Sequence, residues 1–161
     1  MNEREPLLAL RPATDDDAGF LALLYASTRE DDPVLEAFGI DQRAAFMQQQ
    51  FVAQSAHNAG HYADASFDLV LADGERAGRL IVLRGEGVIR IVDASLLPEW
   101  RSRGIGRRLL HPILAEGDAK RMPVVLSVML GNPARRLYRR LGFVSVEDDG
   151  VYETMERPAT P

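Results

Sequence analysis

The sequence predicts a mixed α/β fold, one sheet with helices on its faces, in a single domain over residues 1–161. Strand-like runs and helical patterns alternate along the chain in the order β-α-α-β-β-β-α-β-α-β-β, which amounts to seven strands and four helices. A chain of 161 residues suits one domain and buries about two-thirds of its unfolded surface. Apolar residues make up 46% and charged residues 27%, as in ordinary globular proteins.

The first elements are a short strand and a helix. Leu7 to Leu10 is an apolar run that predicts a strand. Thr14 and the three aspartates after it predict a helix start, with a hydroxyl cap and carboxylates in the first turn. Apolar residues then recur on one face down to about Arg29. The stretch 30–39, which contains Pro33 and Gly39, predicts a loop or a broken helix.

A second helix and three strands follow. Asp41 is the predicted N-cap of the helix, and the helical pattern ends near Gly60. The dipeptide Asp73-Gly74 is typical of a tight hairpin. Pro98 ends the run rich in β-branched residues at 88–97. The predicted strands are Phe67–Ala72, Glu75–Arg84 and Val88–Leu97.

The remaining third of the chain predicts two helices and three strands. The continuous apolar run from Pro123 to Leu130 indicates a buried strand. Asn132-Pro133 indicates the start of a helix. The last two strands flank the turn Asp148-Asp-Gly150. The predicted elements are helix Ile105–Lys120, strand Pro123–Leu130, a helix from Asn132 that ends at Gly142, and strands Phe143–Val146 and Val151–Met155.

Composition narrows the possible functions. Cysteine is absent, which excludes a disulfide framework, a cysteine metal site and a cysteine nucleophile. The sequence has no run of about 18 apolar residues and does not start like a secretory signal, so we expect no membrane span and a cytoplasmic location. A formal net charge of −5 disfavours non-specific nucleic-acid binding, which needs a basic surface.

The basic residues are 18 arginines and one lysine, and their positions matter more than their number. Four arginines fall within Arg101–Arg108 and four more within Arg135–Arg140. Acidic residues gather elsewhere, at Glu30, Asp31, Asp32, Glu36 and Asp41. The chain therefore combines a local anion-binding region with a separate acidic region.

The segment from Arg101 to Gly106 has the features of a phosphate cradle. The first N–H groups of a helix have no partner within the helix and point towards its N-terminus. Glycines at 104 and 106 let the backbone approach an anion, and the nearby arginines add charge. The third glycine of a dinucleotide fingerprint and the Gly-Lys-Ser/Thr of a Walker loop are both missing. A tight turn with a solvated arginine face is the alternative.

Two motifs resemble the GNAT superfamily of N-acetyltransferases. Leu96-Leu-Pro-Glu-Trp-Arg-Ser-Arg-Gly-Ile-Gly106 is similar to the family's pyrophosphate-binding motif, Arg/Gln-x-x-Gly-x-Gly/Ala. Asn132-Pro-Ala-Arg-Arg-Leu-Tyr-Arg-Arg-Leu-Gly-Phe143 resembles its second cofactor segment. The likeness extends from about Leu7 to Met155. It implies a GNAT-type, mostly antiparallel seven-stranded sheet with about four helices.

The resemblance implies acetyl-CoA as cosubstrate, lying where the strands at 88–97 and 124–130 splay apart. Strand amides at Leu96 and Leu97 would meet the pantetheine arm, the loop amides would wrap the pyrophosphate, and Asn132 would bond pantetheine or the acceptor. The implied cofactor-binding residues are Leu96, Leu97, Arg101, Arg103, Gly104, Ile105, Gly106, Arg107, Arg108, Asn132 and Arg135.

Tyr138 matches the family's tyrosine that protonates the departing CoA thiolate. A thiol has a pKa near 8.5 and a tyrosine near 10, so roughly 2 kcal/mol opposes full proton transfer. A hydrogen bond from the phenol stabilises the developing charge without full transfer. Taken alone, Tyr138 would be an amphipathic core tyrosine.

The general base is not indicated clearly. The positions where family members carry a carboxylate are here Arg90 and Ser127, and neither is a base. Asp93 is a candidate, although strand alternation predicts it on the opposite face from Arg90. It could instead be a structural carboxylate that bonds a loop backbone or Arg79. Deprotonation through water held by Ser127, or a neutral acceptor, are further options.

The acceptor is expected to be an amine, on a small molecule or a protein. In the family the loop between the first two helices, here Thr28 to Glu36, helps form the acceptor pocket, and its carboxylates could attract a cation. A solvated acidic loop is an equal alternative. His57 and His61 have helical metal-ligand spacing without a third ligand, so we expect no metal. The last hairpin, if exposed, could pair two subunits in a homodimer.

The predicted activity is direct acetyl transfer from acetyl-CoA to an amine, with Tyr138 as acid and Asp93 and Ser127 as the other catalytic candidates. The missing strand carboxylate motivates the alternative of a non-catalytic module that binds acetyl-CoA or CoA for regulation. A nucleotide-binding protein that uses the same anion cradle is a third hypothesis.

Overall fold

The computed structural model describes residues 4–29 and 33–161. Within these ranges it has four α-helices, which are Ala18–Ser27 (α1), Ile40–His61 (α2), Ile105–Lys120 (α3) and Ala134–Arg140 (α4). The strands are Leu8–Pro12 (β1), Ser66–Ala72 (β2), Glu75–Arg84 (β3), Ile89–Leu96 (β4), Val124–Met129 (β5), Val144–Asp148 (β6) and Tyr152–Arg157 (β7). Short 3₁₀ turns lie at Asp15–Asp17, Pro33–Ala37 and Pro98–Trp100.

The strands form one seven-stranded sheet in the order β1-β2-β3-β4-β5-β7-β6. β4 and β5 run parallel, whereas β1 and β2, β5 and β7, and β6 and β7 pair antiparallel. Parallel neighbours need a crossover connection, which α3 provides between β4 and β5. The predicted fold class, element order and mostly antiparallel seven-stranded sheet are confirmed.

The predicted cap of the second helix is wrong. α2 begins at Ile40, and its N-cap is Gly39 rather than Asp41. The Gly39 N–H donates to Oε1 of Gln42 at 3.1 Å, so a glutamine three residues after the cap satisfies the first exposed amide. Asp41 lies in the first turn, where a negative charge is favourable.

The first strand begins one residue later than the predicted run and includes the Arg-Pro that follows it. β1 continues beyond Leu10 through Arg11 to Pro12, which pairs with Asp68 of β2. Proline lacks an N–H and is tolerated in edge strands, and β1 is the edge strand at one end of the sheet order. The last helix is shorter than predicted, because α4 ends at Arg140, before Gly142.

The chain divides into two compact units, of which the first is Met1–Leu80 with Ser95–Trp100. One cluster of its core contains Phe20, Leu24, Leu69 and Leu97. Asp17, which the sequence places in a helix start, is only 1% exposed. Its carboxylate accepts two hydrogen bonds from Arg11, each 2.8 Å, and one from Arg76 at 3.3 Å. The hydrogen bonds from Arg11 and the Thr14 N–H hold the pKa of Asp17 well below its usual range.

The second unit is Ile81–Ala94 with Arg101–Pro161 and contains β5, β6, β7, α3 and α4. On β5, buried Val124, Leu126 and Val128 alternate with Val125, Ser127 and Met129. A Cβ built on Gly117 of α3 would lie 3.0 Å from Cγ2 of Val124, so α3 packs on the Val124 face. The side chain of Ser127 therefore projects from the face of β5 opposite α3.

Candidate active site

The two parallel strands of the second unit separate part-way along their length. Their ladder pairs Ile89 with Val124, Arg90 with Val125 and Ile91 with Leu126. In the described chain no later pair joins them, although β4 and β5 both continue. β5 keeps its antiparallel partner β7 on the other side as far as Met129. A cleft therefore opens between the strands beyond Ile91.

The loop after β4 turns sharply into α3. Ser102 and Gly104 have positive φ angles of 60° and 76°, and Gly104 is the N-cap of the helix. The Arg108 N–H donates to the Gly104 carbonyl at 3.2 Å, which makes the first turn. Ile105 is 1% exposed and fixes the start of the helix in the core. The amides of Ile105 to Arg107 are first-turn amides, so they point out of the helix end.

The four predicted phosphate-binding arginines flank this helix start in the sequence. Arg101, Arg103 and Arg107 are exposed and Arg108 is half-buried. Arg101, Arg103 and Arg108 already interact with other parts of the protein. Their charges add to the positive end of the helix dipole. The local potential favours an anion even though the whole chain has a net charge of −5.

Gly106 lets α3 and α4 approach closely. A Cβ built on Gly106 would lie 3.1 Å from Cδ2 of Leu137 on α4. The two predicted motifs therefore meet in space, and Leu137 is the residue before Tyr138.

Tyr138 lies within range of the negative charge of Asp93. Tyr138 is 8% exposed, and its ring packs edge-on against Phe143 with centroids 5.8 Å apart. Burial and the negative charge of Asp93 raise the pKa of Tyr138 to about 12. Asp93 is half-buried on β4, two residues beyond the last pair with β5. It therefore lies at the opening of the cleft.

Arg90 and Ser127 lie on the other face of these strands. Arg90 pairs with Val125, and alternation places Val125 and Ser127 on one face. The same alternation puts Asp93 on the opposite face from Arg90, as the sequence predicts. The structure thus separates two of the three catalytic candidates, Ser127 and Asp93, by the thickness of the sheet.

A groove that the sequence did not indicate lies around Ser127. It has a volume of about 360 Å³ and is lined by Ser127, Glu147, Asp149, Tyr152 and Thr154. The last four belong to the final hairpin, where cross-strand register decides which side chains face Ser127. Local spacing carries no signal for that register, because it depends on a bulge between Ser145 and Glu147.

Asn132 and Arg135 both make local contacts at the start of α4. Oδ1 of Asn132 accepts a hydrogen bond from the Ala134 N–H at 2.9 Å. Arg135 donates from Nε to Oε2 of Glu153 at 2.6 Å and from Nη1 to the Leu130 carbonyl. Its guanidinium is thus engaged by protein groups, and its predicted contact with the cofactor stays a prediction.

Leu96 and Leu97 lie in the first unit, and the backbone of Leu97 is hydrogen-bonded within it. The Leu97 N–H donates to the Ala77 carbonyl at 2.8 Å, and the Leu97 carbonyl accepts from the Trp100 N–H at 3.0 Å. An N–H contact from Leu97 to pantetheine would have to replace the bond to Ala77. Successive amides in a strand point to opposite edges, so the Leu96 N–H points away from Ala77.

The predicted acceptor region is described only in part. Glu30, Asp31 and Asp32 lie outside the described residues, and Glu36 and Asp41 are exposed. Between α1 and α2 the first unit has a mainly apolar cavity of about 400 Å³. It is lined by Ala22, Ala26, Leu35, Arg43, Ala44, Met47, Gln48 and Phe51.

Two further features bear on ligands and membranes. The rings of His57 and His61 stack on α2 with centroids 4.4 Å apart, and residues 4–29 and 33–161 contain no cluster of three or more potential metal ligands. None of the helices in those ranges is long and apolar enough to cross a membrane.

A family model for the acetyltransferase (GNAT) domain matches residues 64–145, half of the chain. The protein therefore belongs to the GNAT family of acetyltransferases. A search of curated protein sequences found no significant match.

Solved structures share the fold at low sequence identity. The PaiA N-acetyltransferase of Thermoplasma acidophilum, in complex with coenzyme A, superposes with a TM-score of 0.69 and 17% identity, over 94% of this chain and 99% of that one. An acetyltransferase of Thermus thermophilus gives 0.67 and 21%, over 96% and 99%. The ribosomal-protein-S18-alanine N-acetyltransferase of Escherichia coli gives 0.61 and 18%, over 96% of each chain.

Proposed function

We propose that this protein is an N-acetyltransferase that moves the acetyl group of acetyl-CoA directly to an amine. The observation that carries the proposal is the left-handed cap at Gly104, which starts α3 beside a strand pair that opens beyond Ile91. Four arginines flank that cap in the sequence, within Arg101–Arg108. Membership of the GNAT family supports acetyl transfer as the chemistry.

The residues at the start of α3 fit the pyrophosphate of CoA. A side chain at Gly104 would be strained by its φ of 76°, and one at Gly106 would press on Leu137. With glycine at both positions the amides from Ile105 onwards are accessible to an anion. Arg101, Arg103, Arg107 and Arg108 supply the charge. Arg135 bonds Glu153 and the Leu130 carbonyl, so its predicted contact with the cofactor would have to replace those bonds.

Tyr138 is proposed to donate a hydrogen bond to the departing sulfur. The amine nitrogen attacks the thioester carbonyl carbon, the C–S bond breaks, and the nitrogen loses the proton that the sulfur can take. Against a thiol pKa near 8.5, a phenol pKa of about 12 opposes full transfer from Tyr138 by about 5 kcal/mol. Tyr138 therefore acts by stabilising charge on sulfur rather than by giving up its proton permanently.

Asp93 is the proposed proton acceptor for the amine. An alkylammonium with a pKa of about 10.4 must lose a proton before attack, which costs about 4–5 kcal/mol at neutral pH. Asp93 is a carboxylate whose charge acts on Tyr138, so it lies on the side of the strands where the reaction is proposed. Ser127 projects from the other face and is proposed to hold water, or an acceptor that reaches the thioester through the cleft between β4 and β5.

The acceptor is proposed to be a cationic amine, on a small molecule or a protein. The groove around Ser127 is lined by two carboxylates and three hydroxyl groups and has no basic lining residue. Hydrogen bonds from the Tyr152 and Val151 amides hold the pKa of Asp149 below its usual range, so it is ionised at neutral pH. A negative lining attracts cations.

The test is thiol release from acetyl-CoA over a panel of amines, with the wild type and Tyr138→Phe compared at equal concentration. We expect turnover with at least one amine, and a kcat about 100-fold lower in the variant. Thermal stabilisation by acetyl-CoA without turnover on any amine would instead favour a CoA-binding module. If ATP binds better than CoA, the cradle serves a nucleotide and the proposal is wrong.

A further inference from the structure

Glu153 is a carboxylate almost fully enclosed by the protein, with 2% of its surface exposed. Its Oε2 accepts a hydrogen bond from Arg135 at 2.6 Å, and its Oε1 lies 3.9 Å from Nη2 of Arg139. Burial alone would raise the pKa of Glu153. Hydrogen bonds from Arg135 and Ser145 and the charges of both arginines lower it instead. Glu153 is therefore an anion that two residues of α4 face.

Arg135 connects three segments of the second unit. It is the second residue of α4, its Nε donates to Glu153 on β7, and its Nη1 donates to the carbonyl of Leu130, the residue after β5. The turn 131–133 lies between Leu130 and α4. One side chain therefore ties both ends of that turn to β7.

Tyr138 depends on the placement of this helix. It follows Arg135 by three residues, which puts the two side chains on neighbouring positions of one helix face. α4 has seven residues, too few to be stable without tertiary contacts. Whatever fixes its first turn therefore also fixes the position of the Tyr138 ring.

We propose that Glu153 is a positioning residue for acetyl transfer, which acts through Arg135 to hold the Tyr138 phenol in line with the departing sulfur. This inference rests on the proposed function, because it concerns the same site. Because only 2% of its surface is exposed, Glu153 is proposed to act without touching acetyl-CoA or the acceptor. Its contribution belongs to kcat and not to cofactor affinity, since an error of about 1 Å in a catalytic group can cost 100-fold in rate.

The experiment is a double-mutant cycle between Glu153→Gln and Tyr138→Phe, with kcat and the KM for acetyl-CoA measured for each protein. Glutamine keeps the size of the side chain and removes its charge. We expect Glu153→Gln to lower kcat about tenfold or more, with the KM for acetyl-CoA changed less than twofold. In the Tyr138→Phe background the same substitution should lower kcat less than twofold, because the group that it positions is gone.

Two further variants make the cycle specific. Arg135→Lys keeps a positive charge but cannot bond Glu153 and Leu130 together, so it should reproduce the kcat loss if Glu153→Gln does not fold. Asp118→Asn is the matched control, because it also removes the charge of a carboxylate that pairs with an arginine, while Asp118 and Arg157 belong to α3 and β7 and not to α4. Its effect on kcat should be small and equal in both backgrounds.

Additive effects of Glu153→Gln and Tyr138→Phe would overturn the inference, and so would a loss confined to the KM for acetyl-CoA. If Tyr138→Phe itself leaves kcat unchanged, the proposed role of the phenol fails. The positioning of the Tyr138 ring by Glu153 is then tested by NMR. The ring signals of ¹³C-labelled tyrosine, with Tyr138 assigned by its phenylalanine variant, should then move in Glu153→Gln and not in Asp118→Asn. An unmoved Tyr138 signal would show that Glu153 does not position the ring.

Discussion

Tyr138 should stay protonated far above the pH at which an ordinary tyrosine ionises. Its burial and the charge of Asp93 raise its pKa to about 12, from a usual value of 10. Two pKa units correspond to about 3 kcal/mol of preference for the neutral phenol in the folded protein. Because the pKa is higher in the folded than in the unfolded chain, this stabilisation is complete below about pH 10. It is lost as the pH rises towards 12, when only the unfolded chain gives up the proton.

The substitution Tyr138→Phe isolates this group among the four tyrosines of the chain. The difference in tyrosinate absorbance between wild type and variant should show no titration near pH 10 while both remain folded. In urea unfolding, the wild type should lose about 1 kcal/mol more than the variant between about pH 8 and about pH 11. A tyrosinate difference curve with a midpoint near pH 10 would refute the reasoning from burial and from Asp93. So would equal losses of stability in the wild type and in Tyr138→Phe over that pH range.

Three further substitutions are informative, and a fourth, Gly74→Ala, is a control. Asp93→Asn should lower the pKa of Tyr138 and reduce kcat most at low pH, where the amine most needs a proton acceptor; parallel pH–rate profiles of variant and wild type would contradict this. Gly104→Ala should cost about 1–2 kcal/mol of stability and weaken acetyl-CoA binding in calorimetry. Gly74→Ala, also at positive φ in open space, should cost similar stability with binding unchanged. The ionised Asp17 carboxylate stabilises the fold above about pH 4, and this stabilisation is lost as the pH falls further. In urea unfolding, Asp17→Asn should therefore lose less free energy of unfolding than the wild type below about pH 4.

Most of the fold could be predicted because its signals are local. The hairpin at Asp73-Gly74, the continuous apolar run of β5 and the proline after Asn132 each determine structure within a few residues. The boundary errors have local causes as well. At α2 the glutamine at position 42 bonds the Gly39 amide, so the helix starts before Asp41.

Within the candidate site, the turn into α3 was predictable from the sequence, whereas the long-range contacts were not. Gly104 and Gly106 stand next to the arginines in the sequence, and the positive φ of Gly104 confirms the turn into α3. Glu153 had no comparable signal, because the contact that explains it joins β7 to Arg135, 18 residues away. Pairings of that range depend on strand register and helix placement, which composition and spacing do not encode.

Asp93 shows how a single charge can serve both ends of the proposed reaction. The acceptor amine becomes neutral only as the pH approaches its pKa of about 10.4, and an ordinary tyrosine would by then be mostly ionised. A phenolate cannot donate to a departing thiolate. By holding the phenol proton up to about pH 12, burial and Asp93 separate the two titrations. Neutral amine and protonated Tyr138 can then coexist. The raised pKa, which makes Tyr138 a poorer acid, therefore makes it a more reliable hydrogen-bond donor.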